Sequence, residues 1–303
     1  MQQKKYREIN NYYFEQIQPI LDYWATTENV YLDYSHDLIY GVSGVFLFIG
    51  NHSLINNDEV VKFDGKSNFI IDMSFEILFR VNCETDNFYK LYTKNNKKNY
   101  CILGMAHGIC GLISSLKILQ NKMNYNIQKK IDILSSNFEK FVIKYAKIKN
   151  SKVKVPVCIK LDKVFSDDPN DIDILKNNYT WCYGIVGLGI YFNKFSKDKN
   201  LISLLNNNIE CTMESIIENN YNNLLNEDLC ICHGYSGMLY YCFNETSKNS
   251  LNNDILCNFL NACLENYNIK DKTNLLNGYG GIKLVLESLK NNKRFIGDFL
   301  FGY

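Results

Sequence analysis

Cys182, in Trp181-Cys182-Tyr183-Gly184, and the adjacent pair Cys232-His233, in a segment running from Cys230 to Gly237, offer two thiolates and one imidazole. Two sulfurs and a nitrogen suit zinc and leave one coordination position open. A closed structural site takes four protein ligands, whereas three ligands plus an exchangeable position is the catalytic arrangement. Two thiolates neutralise Zn²⁺, and a neutral imidazole adds no charge. Cys230, two residues before Cys232, is a rival ligand. An isolated cysteine is more often a small buried hydrophobe. That reading holds for Cys83, Cys158, Cys211, Cys242, Cys257 and Cys263.

The elements that must position these groups form a repeat. A G-x-x-G motif opens an apolar helix, an amphipathic helix follows, and the next G-x-x-G begins. The motif starts at Gly41, Gly108, Gly184, Gly234 and Gly278. The last two intervals suit one helical hairpin each, and the first two are longer. Glycines at i and i+3 share one face of the first helical turn and allow close backbone approach there. The apolar runs cover residues 112–119, 184–195, 234–243 and 282–289. Amphipathic spacing predicts helices over 5–25 (with Pro19 awkward inside), 68–82, 126–148, 200–219 and 254–267. In the stretch 126–148, Ile127, Ile131, Leu134, Phe138, Phe141, Val142 and Tyr145 form one stripe. The segment Val153–Ile159 reads as extended and 167–170 as a turn. Apolar helices alternating with amphipathic ones imply an inner layer ringed by an outer one. This is an all-α, α/α double barrel or toroid, one domain over residues 1–303. The inner-helix N-termini then converge on one end, where their dipoles favour anions and thiolates.

Composition removes several function classes. Lys and Arg total 33 against 32 acidic residues, a formal net charge of +1. Net charge therefore supplies no reason to expect nucleic acid as a partner. No run approaches the ~18 apolar residues of a membrane helix, so an integral membrane protein is not expected. Eleven cysteines in an odd, irregular set, with no apolar signal segment after Met1, point to a reducing cytoplasm. A glycosidase on this fold would want paired carboxylates at the barrel mouth, and only Asp37 sits at a motif.

The ordered motifs resemble the lanthionine synthetase C-like family, the cyclases that make thioether rings in lanthipeptides. The resemblance is carried by Gly104-Met-Ala-His107-Gly-Ile-Cys-Gly111, then Trp-Cys182-Tyr-Gly, then Cys232-His233-Gly-Tyr-Ser-Gly. The flanking units at 37–44 and 277–282 extend it over most of the chain. It implies a double α-barrel of nominally seven hairpins, some of them degenerate here.

The resemblance also implies a zinc ion held by Cys182, Cys232 and His233, with water or a substrate thiolate in the fourth position. The implied reaction adds a peptide cysteine thiolate to the β-carbon of dehydroalanine or dehydrobutyrine. His107 is the candidate acid that protonates the resulting enolate; an imidazole suits because it titrates near neutrality. Asp37 is the candidate partner that orients His107, with a helix-capping role as the plain alternative. Tyr183 is a candidate hydrogen-bond donor to the enolate oxygen or a thiolate, with packing as its alternative. The implied partners are a dehydrated precursor peptide, a lanthipeptide dehydratase and an ABC exporter. A complex with the last two would place a cytoplasmic protein at the membrane periphery. Two other readings share the motifs: a protein that adds glutathione or another thiol to dehydrated residues, and a non-catalytic peptide-binding scaffold. In the family's pattern an Arg stands four residues before the W-C-Y-G cysteine, where this chain has Asn178.

Overall fold

The computed structural model describes residues 37–39, 41, 43–47, 100–123, 125–149, 152–160, 179–218, 229–245, 253–266 and 274–293, with single positions 15, 16, 19, 50 and 163. Most of the expected helix 5–25, all of 68–82, and Asn178 lie outside the described residues.

Seven helices carry most of this structure: α1 (Ile109–Leu119), α2 (Tyr125–Tyr145), α3 (Ile185–Phe195), α4 (Lys199–Glu218), α5 (Tyr235–Glu245), α6 (Asn253–Asn266) and α7 (Tyr279–Asn291). Nine of the 11 residues of α1 and eight of the 11 of α3 are buried. A helix apolar all round must lie inside. The odd-numbered helices pack in chain order, α1 on α3, α3 on α5 and α5 on α7. The even-numbered ones lie outside them: α2 on α1, α4 across α3 and α5, α6 across α5 and α7. This is the expected α/α barrel, seen as an arc of four inner helices. The predicted stripe of α2 is its buried face.

Buried polar ties join the layers. The Tyr191 and Ser135 hydroxyls lie 2.6 Å apart across α3 and α2. Asn193 Nδ2 donates to Asn206 Oδ1 (2.9 Å) and to the Tyr241 hydroxyl (2.7 Å), and Tyr241 donates to Asn206. One network thus spans α3, α4 and α5, and each buried polar atom in it finds a partner.

The helix expected over 126–148 stops at Tyr145. Lys147–Lys149 is instead a strand, β2, paired antiparallel with β3 (Lys152–Lys154). Residues 145 and 148 fit helical spacing, but the alternation Lys-Ile-Lys then Lys-Val-Lys fits a strand better. The extended segment expected at 153–159 resolves into β3 and β4 (Cys158–Lys160). β4 pairs with β1 (Tyr100–Ile102), which runs directly into the His107 motif.

Candidate functional site

Each inner helix is preceded by a lead-in turn of constant design. Counting from the second glycine of each motif, the residue six places earlier is apolar: Leu38, Met105, Trp181, Ile231 and Leu275. Trp181 and Ile231 are fully buried, and Met105 is 3% exposed. Burying Trp181 contributes roughly 2–3 kcal/mol and anchors the turn that presents Cys182. The next two residues are Ala106-His107, Cys182-Tyr183, Cys232-His233 and Leu276-Asn277. The site residues therefore occupy equivalent places in successive units.

The second glycine exists because the turn folds back onto the helix it introduces. A Cβ on Gly187 would collide with the carbonyl oxygen of Trp181, and one on Gly237 with that of Ile231. Gly44, Gly111 and Gly281 meet the same obstruction, from the residue six places earlier. The close approach thus lies chiefly within one unit. Gly187→Ala is expected to destabilise the fold by about 1–3 kcal/mol through overpacking against backbone. Chemical denaturation checks this, and an unchanged midpoint would contradict it.

Adjacent turns are joined by main-chain hydrogen bonds. Leu38 N–H donates to Ala106 O (2.8 Å), Ala106 N–H to Cys182 O (3.1 Å), Cys182 N–H to Cys232 O (3.3 Å), and Cys232 N–H to Leu276 O (3.1 Å). This ladder runs along the rim and sets the site residues side by side.

The sulfurs of Cys182 and Cys232 and a ring nitrogen of His233 lie within 4.8 Å of one another. Cys182 Sγ is 2.8 Å from His233 Nδ1. Both cysteines are buried and His233 is exposed, so the cluster opens to one side. The hydrogen-bonded Cys232 thiol brings Cys182 down to about 5, against burial and with help from His233 and Thr180. Thiolate is the form that binds a soft metal. Elsewhere burial pushes the thiols of Cys101, Cys110 and Cys242 well above their ordinary value, and that of Cys263 to about 11. Burial also raises the thiols of Cys158 and Cys257, as expected of packing cysteines, whereas Cys211, expected to be buried, is exposed. Two convergent sulfurs and a nitrogen fit a zinc ion with one position left for another ligand.

Cys230, the rival, is not part of the cluster. Its Sγ accepts the His233 backbone N–H at 3.2 Å, and its thiol is 3.9 Å from Asn277 Oδ1. It occupies the place seven before the second glycine, where three of the other four units put side-chain acceptors. Thr180 Oγ1 accepts from Tyr183 N–H (3.4 Å). Asn274 Oδ1 accepts from the N–H groups of Leu276 (2.9 Å) and Asn277 (3.1 Å). These are turn caps that satisfy otherwise unpaired amides. Sequence reasoning passed over Thr180 and Asn274. The signal was there, as a polar or thiol side chain at one fixed offset.

Asp37 is the cap of its own unit: Oδ1 accepts the Ile39 N–H at 2.6 Å. Its other oxygen lies 2.7 Å from His107 Nδ1. Asp37 is 2% exposed and the His107 side chain 19%. The structure therefore gives Asp37 both the capping contact and the histidine contact. A carboxylate at Nδ1 holds the proton there and makes Nε2 the acceptor of the neutral ring. The Tyr183 ring lies 4.9 Å from that of His107, tilted 34°, and Tyr183 follows Cys182 in the chain. Packing on His107 is thus one of its roles.

Residues 2–300 match the family described as Lanthionine synthetase C-like protein. The chain belongs to that family. It is 24% identical over 284 residues to the nisin biosynthesis protein NisC of Lactococcus lactis subsp. lactis, covering 86% of this chain and 62% of that protein. The fold is similar to a solved nisin cyclase structure, with a TM-score of 0.61, 20% identity, and coverage of 88% of this chain and 66% of that one. This LanC-like chain thus spans somewhat under two thirds of the relative's length. Among its described residues no helix is long and apolar enough to cross a membrane.

Proposed function

We propose that this LanC-like chain is a zinc-dependent cyclase that closes thioether rings in a dehydrated peptide, with residues 1–303 acting as one unit. The observation that carries the proposal is the open-sided Cys182–Cys232–His233 cluster, beside the lead-in turn of His107, which the turn of its partner Asp37 adjoins on the other side. When bound by these three ligands, zinc supplies a Lewis acid that lowers the pKa of an incoming thiol into the neutral range.

The protein's own groups do the rest. His107, held through Nδ1 by Asp37, presents Nε2 to take the proton of the substrate thiol. The sulfur then bonds to the β-carbon of dehydroalanine or dehydrobutyrine, and the alkene electron pair moves to the α-carbon as an enolate. His107 returns the proton to that carbon, giving lanthionine or methyllanthionine with no atom gained or lost. Tyr183, whose tilted ring packs on that of His107, donates to the enolate oxygen. The inner-helix N-termini add a field that favours both anions.

The test follows free thiol in a peptide carrying one cysteine and one dehydroalanine. Zinc-loaded protein is expected to remove the thiol without changing the peptide mass. A product heavier by one glutathione, formed only when glutathione is supplied, would instead show an intermolecular thiol donor. No thiol loss with either would reject thiol addition.

A further inference from the structure

The stretch 140–163 contains eight lysines and one acidic residue, in a chain otherwise slightly acidic overall. Its centre is the ribbon β2–β3. The register pairs Lys147 with Lys154 and Lys149 with Lys152. Strand alternation sets positions 147, 149, 152 and 154 on one face. Like charges directly opposite across a ribbon are destabilising. Lys147 and Lys154 are exposed, and among the described residues neither has an acidic partner. On the other face Val153 is fully buried, with Asn208 of α4 donating to its carbonyl at 2.6 Å. Its cross-strand neighbour Ile148 is 59% exposed, so β2 overhangs the wall. Among the described residues no third strand pairs with this ribbon. A single lysine at an edge is enough to deter strand pairing between copies. Lysines opposed on both strands exceed that need and match a line of negative charge.

We propose that this ribbon is a docking surface for an acidic, extended segment of the peptide substrate, a proposal that rests on the peptide-modifying reading above. Alternate lysines along a strand repeat at ~6.5–7 Å, the spacing of alternate side chains in an extended peptide. A lipid surface would ask nothing of that spacing. An unpaired strand beside the lysines can also accept the peptide's main chain. The ribbon is tied to the site. Val157 O, three residues beyond Lys154, accepts the N–H of Leu103 at 2.9 Å, and Leu103 is four residues from His107. At ~3.3–3.6 Å per residue Lys154 lies within roughly 30 Å of His107. A substrate then needs at most about nine extended residues between its acidic segment and the reacting cysteine.

The test is fluorescence anisotropy of a labelled decapeptide of alternating Glu and Ser with the full chain. Saturable binding is expected, weakened about tenfold or more in K147E/K154E and less in K147A/K154A, with circular dichroism unchanged in both. Equal affinity in wild type and K147E/K154E overturns the proposal. So does an absence of saturable binding, or binding confined to phosphatidylglycerol vesicles. The readout does not use the metal site, so its failure is distinct from failure of the cyclase reading. Absence of thiol loss on a short substrate without carboxylates shows the latter by itself.

Discussion

Replacing Cys232 by alanine is expected to leave the purified protein almost without zinc and without thiol-addition activity. In the structure Cys232 closes a three-atom cluster with Cys182 and His233 inside 4.8 Å. A zinc site of four ligands is worth about 10–16 kcal/mol, so each ligand's share is ~3–4 kcal/mol, or a factor of 10²–10³ in affinity. Cys182→Ala should behave alike, since its sulfur is the one already shifted toward thiolate. Cys230→Ser should keep its metal. Its sulfur caps the turn through the His233 N–H, a contact that a hydroxyl reproduces. Elemental analysis of the four proteins, purified in parallel, measures this. Equal zinc in wild type and both alanine variants would remove the ligand assignment, and loss in Cys230→Ser would restore the rival.

A second large effect concerns the His107–Asp37 pair. His107→Ala is expected to lower the rate of thiol addition by about 10²–10⁴-fold, the usual contribution of a positioned general acid–base, while leaving zinc content intact. Asp37 separates its two roles on substitution. Asn in its place can still accept the Ile39 N–H, so the cap survives. Its amide, however, can present an N–H to His107 Nδ1 and drive the ring proton to Nε2, removing the acceptor. Asp37→Asn should therefore lose activity, about 10-fold or more, with stability nearly unchanged. Asp37→Ala should lose the cap as well, costing about 1 kcal/mol. Rates on a dehydrated peptide and denaturant midpoints on the same samples give both quantities. Full activity in Asp37→Asn would show that the carboxylate serves the turn alone.

Much of this was legible before any coordinates. Hydrophobic period and paired glycines placed all seven helices to within a few residues at most ends, because burial on a cylinder imposes a periodicity on side chains. The cluster residues were legible because few residue types are able to hold a metal. The rim was not. The bonds from Leu38 to Ala106 and from Cys182 to Cys232 join main-chain atoms of residues far apart in the chain, and main-chain bonds leave no signature in residue type. The caps were half-hidden for another reason. Asp37, Thr180, Cys230 and Asn274 do the same job with four different side chains, and Gly104 interrupts the series because a Cβ there would strike the Cys182–Tyr183 turn. The premature end of α2 was obscured because residues 145 and 148 keep the helical spacing of three, while the strand alternation that replaces it spans only three residues.

The rim ladder carries one more implication. Its bonds are indifferent to what side chains its members bear: Ala106, Cys182, Cys232 and Leu276 fill equivalent places with very different groups. The frame and the chemistry are thereby written on separate parts of the chain. Such a ladder behaves as a row of interchangeable sockets, in which a ligand, an acid or an inert plug is installed by changing one residue, with the neighbouring sockets left in register. Leu276-Asn277 is the socket now plugged.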